Sequence, residues 1–234
     1  MQVKISERIF EKWPETTVSG VAAFSIDVDM AAVEARAITE LADEALVSKF
    51  DAGSHPRIVA WREVYAAFGA KPRSYQCSVE RLLKRSFERG SIPRVSPLVD
   101  IGNAISALYV LPVGVEDMDK LSGTLELDFA TGAEVAVAVV GESDARSPKP
   151  GEVIYSDGLG VICRRWNWKE TPRAMVSDTT TNAVFIIETT RREDAEIMQV
   201  ALTQMIGVLS CVAHSCVDFT LDREASSVTL HHDR

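Results

Sequence analysis

The sequence predicts an α+β fold, on three observations. Up to about residue 121, apolar residues mostly recur at spacings of three and four, as on helices with one buried stripe. From residue 122 to 222 they mostly alternate one in two, as on half-buried strands. Helices gathered in one half and strands in the other argue against a doubly wound parallel sheet, in which the two types alternate. The 234 residues read as one domain: a helical half 1–121, a strand-rich half 122–222, and a tail 223–234 that lacks periodicity and is expected to be loose.

Val18 to Val28 opens the series as a strand, with Phe24, Ile26 and Val28 alternating against Ser25 and Asp27. A helix is expected over Val33 to Phe50, with Ala37, Ile38, Leu41, Ala45 and Leu46 inward. Gly53 to Pro56 breaks it, and Pro56 suits the first position of the next helix. Ile58, Trp61, Tyr65 and Phe68 line one side there, a spacing read as core packing, and Gly69 closes it. Ser78 to Glu88 repeats the pattern with Val79, Leu82, Leu83 and Phe87, and stops at Gly90. Ser96 is a good N-cap and Pro97 a good first residue for a helix carrying Leu98, Ile101, Ile105 and Leu108. Asp100 and Asn103 share a second face of it, where a core helix uses such groups to tie down neighbouring backbone. Pro112 ends this helix, and Gly114 with the acidic Glu116, Asp117 and Asp119 marks a turn.

In the second half, Leu125, Leu127 and Phe129 predict one strand and Val135, Val137 and Val139 another. Gly141 to Gly151 reads as a surface loop. Val153 to Tyr155 and Gly160 to Trp168 read as a hairpin turning at Asp157 and Gly158. Ala183 to Ile187 is an apolar run suited to a strand buried on both faces, stopping at Glu188. Thr190 and Glu193 have capping-box spacing, and a helix from there to about Ser215 turns Ile197, Ala201, Met205, Val208 and Val212 inward. Val217, Phe219 and Leu221 form a closing strand.

A net charge of −9 opposes general adhesion to phosphate backbones, so DNA is not an expected partner and any nucleic-acid contact must be local. Two basic clusters are available: Arg81, Lys84, Arg85, Arg89 and Arg94, and Arg164, Arg165, Lys169 and Arg173. Each reads either as a solvated face or as an RNA contact, and Trp166 and Trp168 within the second offer stacking surfaces for bases. No apolar run approaches the roughly 18 residues of a membrane span, and the first residues lack a signal-peptide pattern. A cytoplasmic protein with no membrane partner is therefore expected, its cysteines (Cys77, Cys163, Cys211, Cys216) reduced and buried. No metal-ligand spacing, Gly-rich phosphate loop or nucleophile elbow occurs, and His55 and His214 lie in unrelated segments, so neither metal nor cofactor is expected.

The set Ile92-Pro93, Asp100-Ile101-Gly102-Asn103, Pro112-Val113-Gly114, Asp117-Met118-Asp119-Lys120-Leu121 and Arg164-Arg165-Trp166-Asn167-Trp168 resembles the B3/B4 domain. That domain is the tRNA-binding and editing module of the phenylalanyl-tRNA synthetase beta subunit, and the likeness is greater still to its free-standing members. It spans roughly Ser74 to Thr190. The resemblance implies a three-layer β/β/α sandwich and hydrolysis of the ester of mischarged tRNA in trans, with the aminoacylated tRNA end as partner. The alternative it leaves open is a non-catalytic module binding tRNA or an amino-acid-like ligand. It implies catalytic positions at Asn103 and Gly114 and substrate contacts at Asp100, Thr181 and Glu188. RNA contacts would fall to Arg85, Arg94, Arg164, Arg165, Trp166 and Trp168. The chain departs from the motif at two positions, with Gly102 for a threonine and Gly114 for a histidine.

Overall fold

The computed structural model describes residues 1–46, 51 and 53–231. Its elements in chain order are β1 (Gln2–Ile5), α1 (Glu7–Lys12), β2 (Thr17–Ile26), α2 (Val28–Ala45), α3 (Pro56–Ala67), α4 (Ser78–Arg89) and α5 (Pro97–Tyr109). There follow β3 (Val113–Asp117), β4 (Thr124–Phe129), β5 (Val153–Asp157), β6 (Gly160–Arg164), β7 (Lys169–Glu170), β8 (Ala183–Thr189), α6 (Ala195–Val212), β9 (Ala213–Leu221) and β10 (Ser227–Thr229).

The strands form two sheets, ordered β10-β1-β4-β5-β6-β7 and β3-β8-β2-β9. All pairs are antiparallel except β1 with β4. The four-stranded sheet is the middle layer. One face meets the helices: a Cβ placed on Gly102 of α5 would lie 2.8 Å from Val115 Cγ2 of β3. Val115 pairs with Phe185 and Val113 with Ile187, so these residues share the helix-facing side. The alternate residues Gly114, Glu116, Val184, Ile186 and Glu188 face the six-stranded sheet, and Glu188 bonds Tyr155 of β5 across the gap. The expected β/β/α sandwich is the observed one.

Local chemistry sets the element ends. Asp27 accepts from the Asp29 and Met30 N–H groups, so α2 starts at Val28 rather than Val33. The expected end of that helix, residues 47–50, lies outside the described residues. Gly90 stops α4 at φ 76°, in the left-handed region that favours glycine. Instead of a Thr190–Glu193 box, Thr189 Oγ1 donates to Asp194 Oδ2 (3.0 Å) at the head of α6. Asp194 is also ion-paired with Arg57 at 2.9 Å. α6 is long and apolar enough to cross a membrane by length and composition. Met198, Ala201, Leu202, Met205, Leu209 and Val212 instead pack it into this core.

Several expectations are corrected. Pro112 to Asp117 is not a turn: Pro112 leads into the strand Val113–Asp117 from just before its first residue, where proline is tolerated. Val135 to Val139 gives only a single bridge, Val137 to Arg146, with Val135 exposed. The tail is not loose throughout, because β10 pairs with β1, and neither β1 nor α1 was anticipated. α6 ends at Val212, which places His214 and Ser215 in β9. The four thiols are free, Cys77 and Cys163 buried, Cys216 half-buried and Cys211 exposed against expectation.

Candidate functional site between the sheets

Glu188 is the centre of a buried polar network. Its Oε1 accepts from Tyr155 Oη (2.5 Å) and Trp166 Nε1 (2.8 Å), and its Oε2 from Asn167 Nδ2 (2.9 Å). Asn167 Oδ1 accepts in turn from Tyr65 Oη at 2.9 Å. Burial raises the Glu188 carboxyl above its usual range, while the three donors oppose that shift.

The Arg164 to Trp168 turn builds this network. Arg165 and Trp166 take left-handed backbone angles (φ 51° and 65°), rare for residues with side chains. The reversal drives Trp166 fully inside, edge-on to Trp13 and Trp61, each with ring centroids 5.1 Å away. Trp166 is therefore no stacking surface for RNA. Arg164 is also buried, 4% exposed, with its guanidinium on Glu152 at 2.5 Å and 2.9 Å and on the Arg146 carbonyl at 2.8 Å. The expectation that Arg164 meets phosphate fails because its donors are consumed within the protein. Trp168 is buried beneath the half-buried Arg165, whose guanidinium carbon lies 4.4 Å from that ring and 3.7 Å from the Tyr75 ring. Arg85 is exposed on α4; Arg94 is exposed and ion-paired with Asp43 at 3.1 Å.

The other expected site residues are only partly brought together. Gly114 lies opposite Ile186, on the same face as Glu188 and beside it along the neighbouring strand. A Cβ on Gly114 would meet nothing within 4 Å, so this edge position opens onto free space. Asn103 is half-buried on α5, in the layer on the other side of the four-stranded sheet from Glu188. Gly102 has its own packing reason, since a threonine would overlap Val115. Asp100 is turned away from a substrate role: its Oδ1 accepts from the Val95 N–H at 2.7 Å and fixes the loop before α5. Thr181 is exposed at the opposite end of β8 from Glu188, seven residues or about 23 Å along an extended chain. A pocket bounded by both is ruled out. The neighbouring Thr180 bonds Asp117 at 2.7 Å instead.

A second group of ionisable side chains surrounds the buried Cys163 thiol. Cys163 pairs across the sheet with Tyr155 and with Glu170. The charges of Glu170, Glu116 and Glu188 push this thiol up, after burial itself, and Arg81 opposes them. Glu116, 6% exposed, is raised well above the carboxylate range by burial and by Glu170. Burial pushes Glu170 from 4.5 to about 7 against the pull of Arg81. Glu170 was not singled out in the sequence, and Cys163, Glu116 and Arg81 were read there as a buried thiol, part of a turn and part of a basic cluster rather than as one group.

The Glu170 shift carries a pH dependence. Its folded-state affinity for the proton exceeds that of the unfolded chain, so its contribution is full below pH 4.5 and is lost as pH rises to about 7. Urea titrations across that window should show stability falling with pH, and Glu170→Gln should flatten the fall. An unchanged slope in the variant would remove Glu170 as its source.

The profile of the B3/4 domain matches residues 60–205, from within α3 into α6 and over more than half of the chain. The chain belongs to the B3/4 domain family. Among solved structures, this B3/4 protein is similar to an N-terminal fragment of the phenylalanyl-tRNA synthetase beta subunit from Pyrococcus horikoshii. Identity is 12%, TM-score 0.48, and the match covers 93% of this chain but 53% of that one. The B3/4 protein thus spans about half the length of that fragment. Comparison with curated proteins gives no match.

Proposed function

We propose that this B3/4 protein recognises aminoacylated tRNA and hydrolyses the ester of mischarged tRNA in trans. The observation that carries the reading is the open space at Gly114, on an edge strand and beside the buried Glu188 network. The Pro112 carbonyl accepts from the Glu188 N–H at 3.2 Å. Antiparallel alternation then aims the polar backbone groups of Gly114 at β8 and those of Val113 at the open edge, which the Glu116–Met175 bridge covers further along. The Val113 N–H can hold the oxyanion that forms when water adds to the ester carbonyl. The ribose oxygen leaves with a proton, and the neighbouring ribose hydroxyl can assist its departure. An activated aminoacyl ester needs little more than this orientation.

The test is release of amino acid from a panel of mischarged tRNAs. At least one should be deacylated faster than in buffer; none doing so would end the reading. Gly114→Trp should abolish the acceleration by filling the open space. Gly114→His restores the side chain of the resembling motif and should raise the rate about tenfold to a hundredfold, the low end for an added general base. With Arg164 buried, phosphate contacts fall to exposed arginines such as Arg85 and Arg89 on α4. The Arg85→Ala, Arg89→Ala double variant should weaken binding equally for every tRNA. Its salt slope should become shallower by about one per lost contact, measured by filter binding at several salt concentrations.

One observation favours a second reading, a module that binds without catalysis. Glu188 Oε1 is occupied by Tyr155 and Trp166, and Gly114 supplies no side-chain base. A wild type that binds aminoacyl-tRNA but never releases amino acid would select it.

A further inference from the structure

After Glu196, α6 carries no charged residue, on its inner side or its outer one. A surface helix of a globular domain ordinarily turns charge to the solvent. Only 33% of the most apolar stretch of this helix is buried, so an uncharged face stands in water. Val200 is 47% exposed there. Beside it, Tyr109 at the end of α5 joins Val200, Thr203 and Gln204 in lining a groove of about 520 Å3.

The exposed stripe has a symmetry. Thr203 and Gly207 each lie two residues from Met205, Val200 and Ser210 five, and Gln199 and Cys211 six. Glu196, and His214 just past the helix end, lie nine residues away. All of these are exposed. A copy of α6 laid antiparallel across the first, about a two-fold axis level with Met205, sets each residue against its counterpart. Thr203 then meets the partner's Gly207, and Val200 the partner's Ser210, side chains small enough for the two helices to approach closely. The partner's Ile206, half-buried in the single chain, arrives at Gln204 and the Tyr109 groove. At either end a Glu196 carboxylate meets an imidazole, that of the partner's His214. An acid and an imidazole equidistant from an uncharged, low-relief middle are answered by the same face reversed. We propose that the outer face of α6 is the interface of a two-fold dimer, covered by α6 of a second copy of this chain. The contact lies across the four-stranded sheet from Glu188, and the space at Gly114 stays open in both subunits.

Sedimentation velocity of the full chain, up to about 100 μM, should show a reversible dimer, since a contact built on one helix pair is small and weak. A monomer at every concentration would overturn the proposal. Gly207→Arg should abolish the dimer. A Cβ on Gly207 meets nothing within 4 Å, so the single chain has room for the side chain, and replacing a helical glycine favours the fold. The variant should therefore melt no lower than the wild type at concentrations where both are monomeric. Gln199→Cys sets a thiol against the partner's Cys211, and mild oxidation with diamide should link the two chains through that pair. The wild type should not link through Cys211, whose two copies lie six residues to either side of the axis, about 18 Å apart. Glu196→Lys should weaken the dimer several-fold, and His214→Glu in the same chain should restore it. A dimer that survives Gly207→Arg, or that Gln199→Cys does not link, would put the interface elsewhere and overturn the assignment. Should Gly207→Arg fail to fold, the cross-link alone decides. The deacylation assay reads a different face, so failure of either result leaves the other standing.

Discussion

Arg164→Ala should lower the unfolding free energy by about 3–5 kcal/mol, the range for removing one partner of a buried ion pair. That is a large share of the roughly 5–15 kcal/mol that holds a domain together. Glu152, 5% exposed, would be left, among the described residues, with the Lys149 N–H at 3.5 Å as its remaining donor. The carbonyls of Arg146 and Ser147 would lose their shared donor, loosening the loop that precedes β5. Urea denaturation reads the loss directly. Substituting both partners, Arg164→Met with Glu152→Leu, should recover most of it, since a well-packed apolar pair carries no stranded charge. A single variant as stable as the wild type would mean that Glu152 finds solvent despite its burial.

Glu188→Ala should cost a comparable amount, about 3–5 kcal/mol. It strands three buried donors, Tyr155 Oη, Trp166 Nε1 and Asn167 Nδ2, and opens a cavity among them. Glu188→Gln should be much milder, about 1 kcal/mol. A glutamine keeps one acceptor for Tyr155 and Trp166, and Asn167 can turn its amide so that Tyr65 accepts rather than donates. Chemical denaturation of the two variants side by side tests this ordering. Equal losses for Ala and Gln would show that the charge on Glu188, and not its hydrogen-bonding shape, stabilises the network.

What the sequence disclosed depended on how local the cause was. α3, α4 and α5 were legible because periodicity, Pro at the first position and Gly90 act within a turn or two of chain. β3 was not, because Pro112, Gly114 and three acids look like a turn until β8 is laid beside them. β1 and β10, of four and three residues, are too short to show a period. The site divides in the same way. Glu188 stood out as an acid ending an apolar run, whereas its donors come from two distant segments, β5 and the Arg164–Trp168 turn. Arg164 and Trp166 read as surface residues because they stand in one run with other basic and aromatic residues, yet both are buried. Two left-handed residues reverse the backbone there, and nothing in an Arg-Trp pair announces that.

The sheet order also bears on how the chain is made. β1 lies between β4 and β10, and β2 between β8 and β9. On the ribosome, β2 therefore emerges long before either neighbour, which begin at Ala183 and Ala213. Val18, Val21, Ala22, Ala23 and Phe24 meanwhile stand on a strand with both edges unpaired, a template for joining another chain. Pairings so far apart in sequence also close slowly. The growing polypeptide, rather than the finished domain, is where this architecture is most open to aggregation, and binding of a chaperone to residues 17–26 is the contact that would protect it.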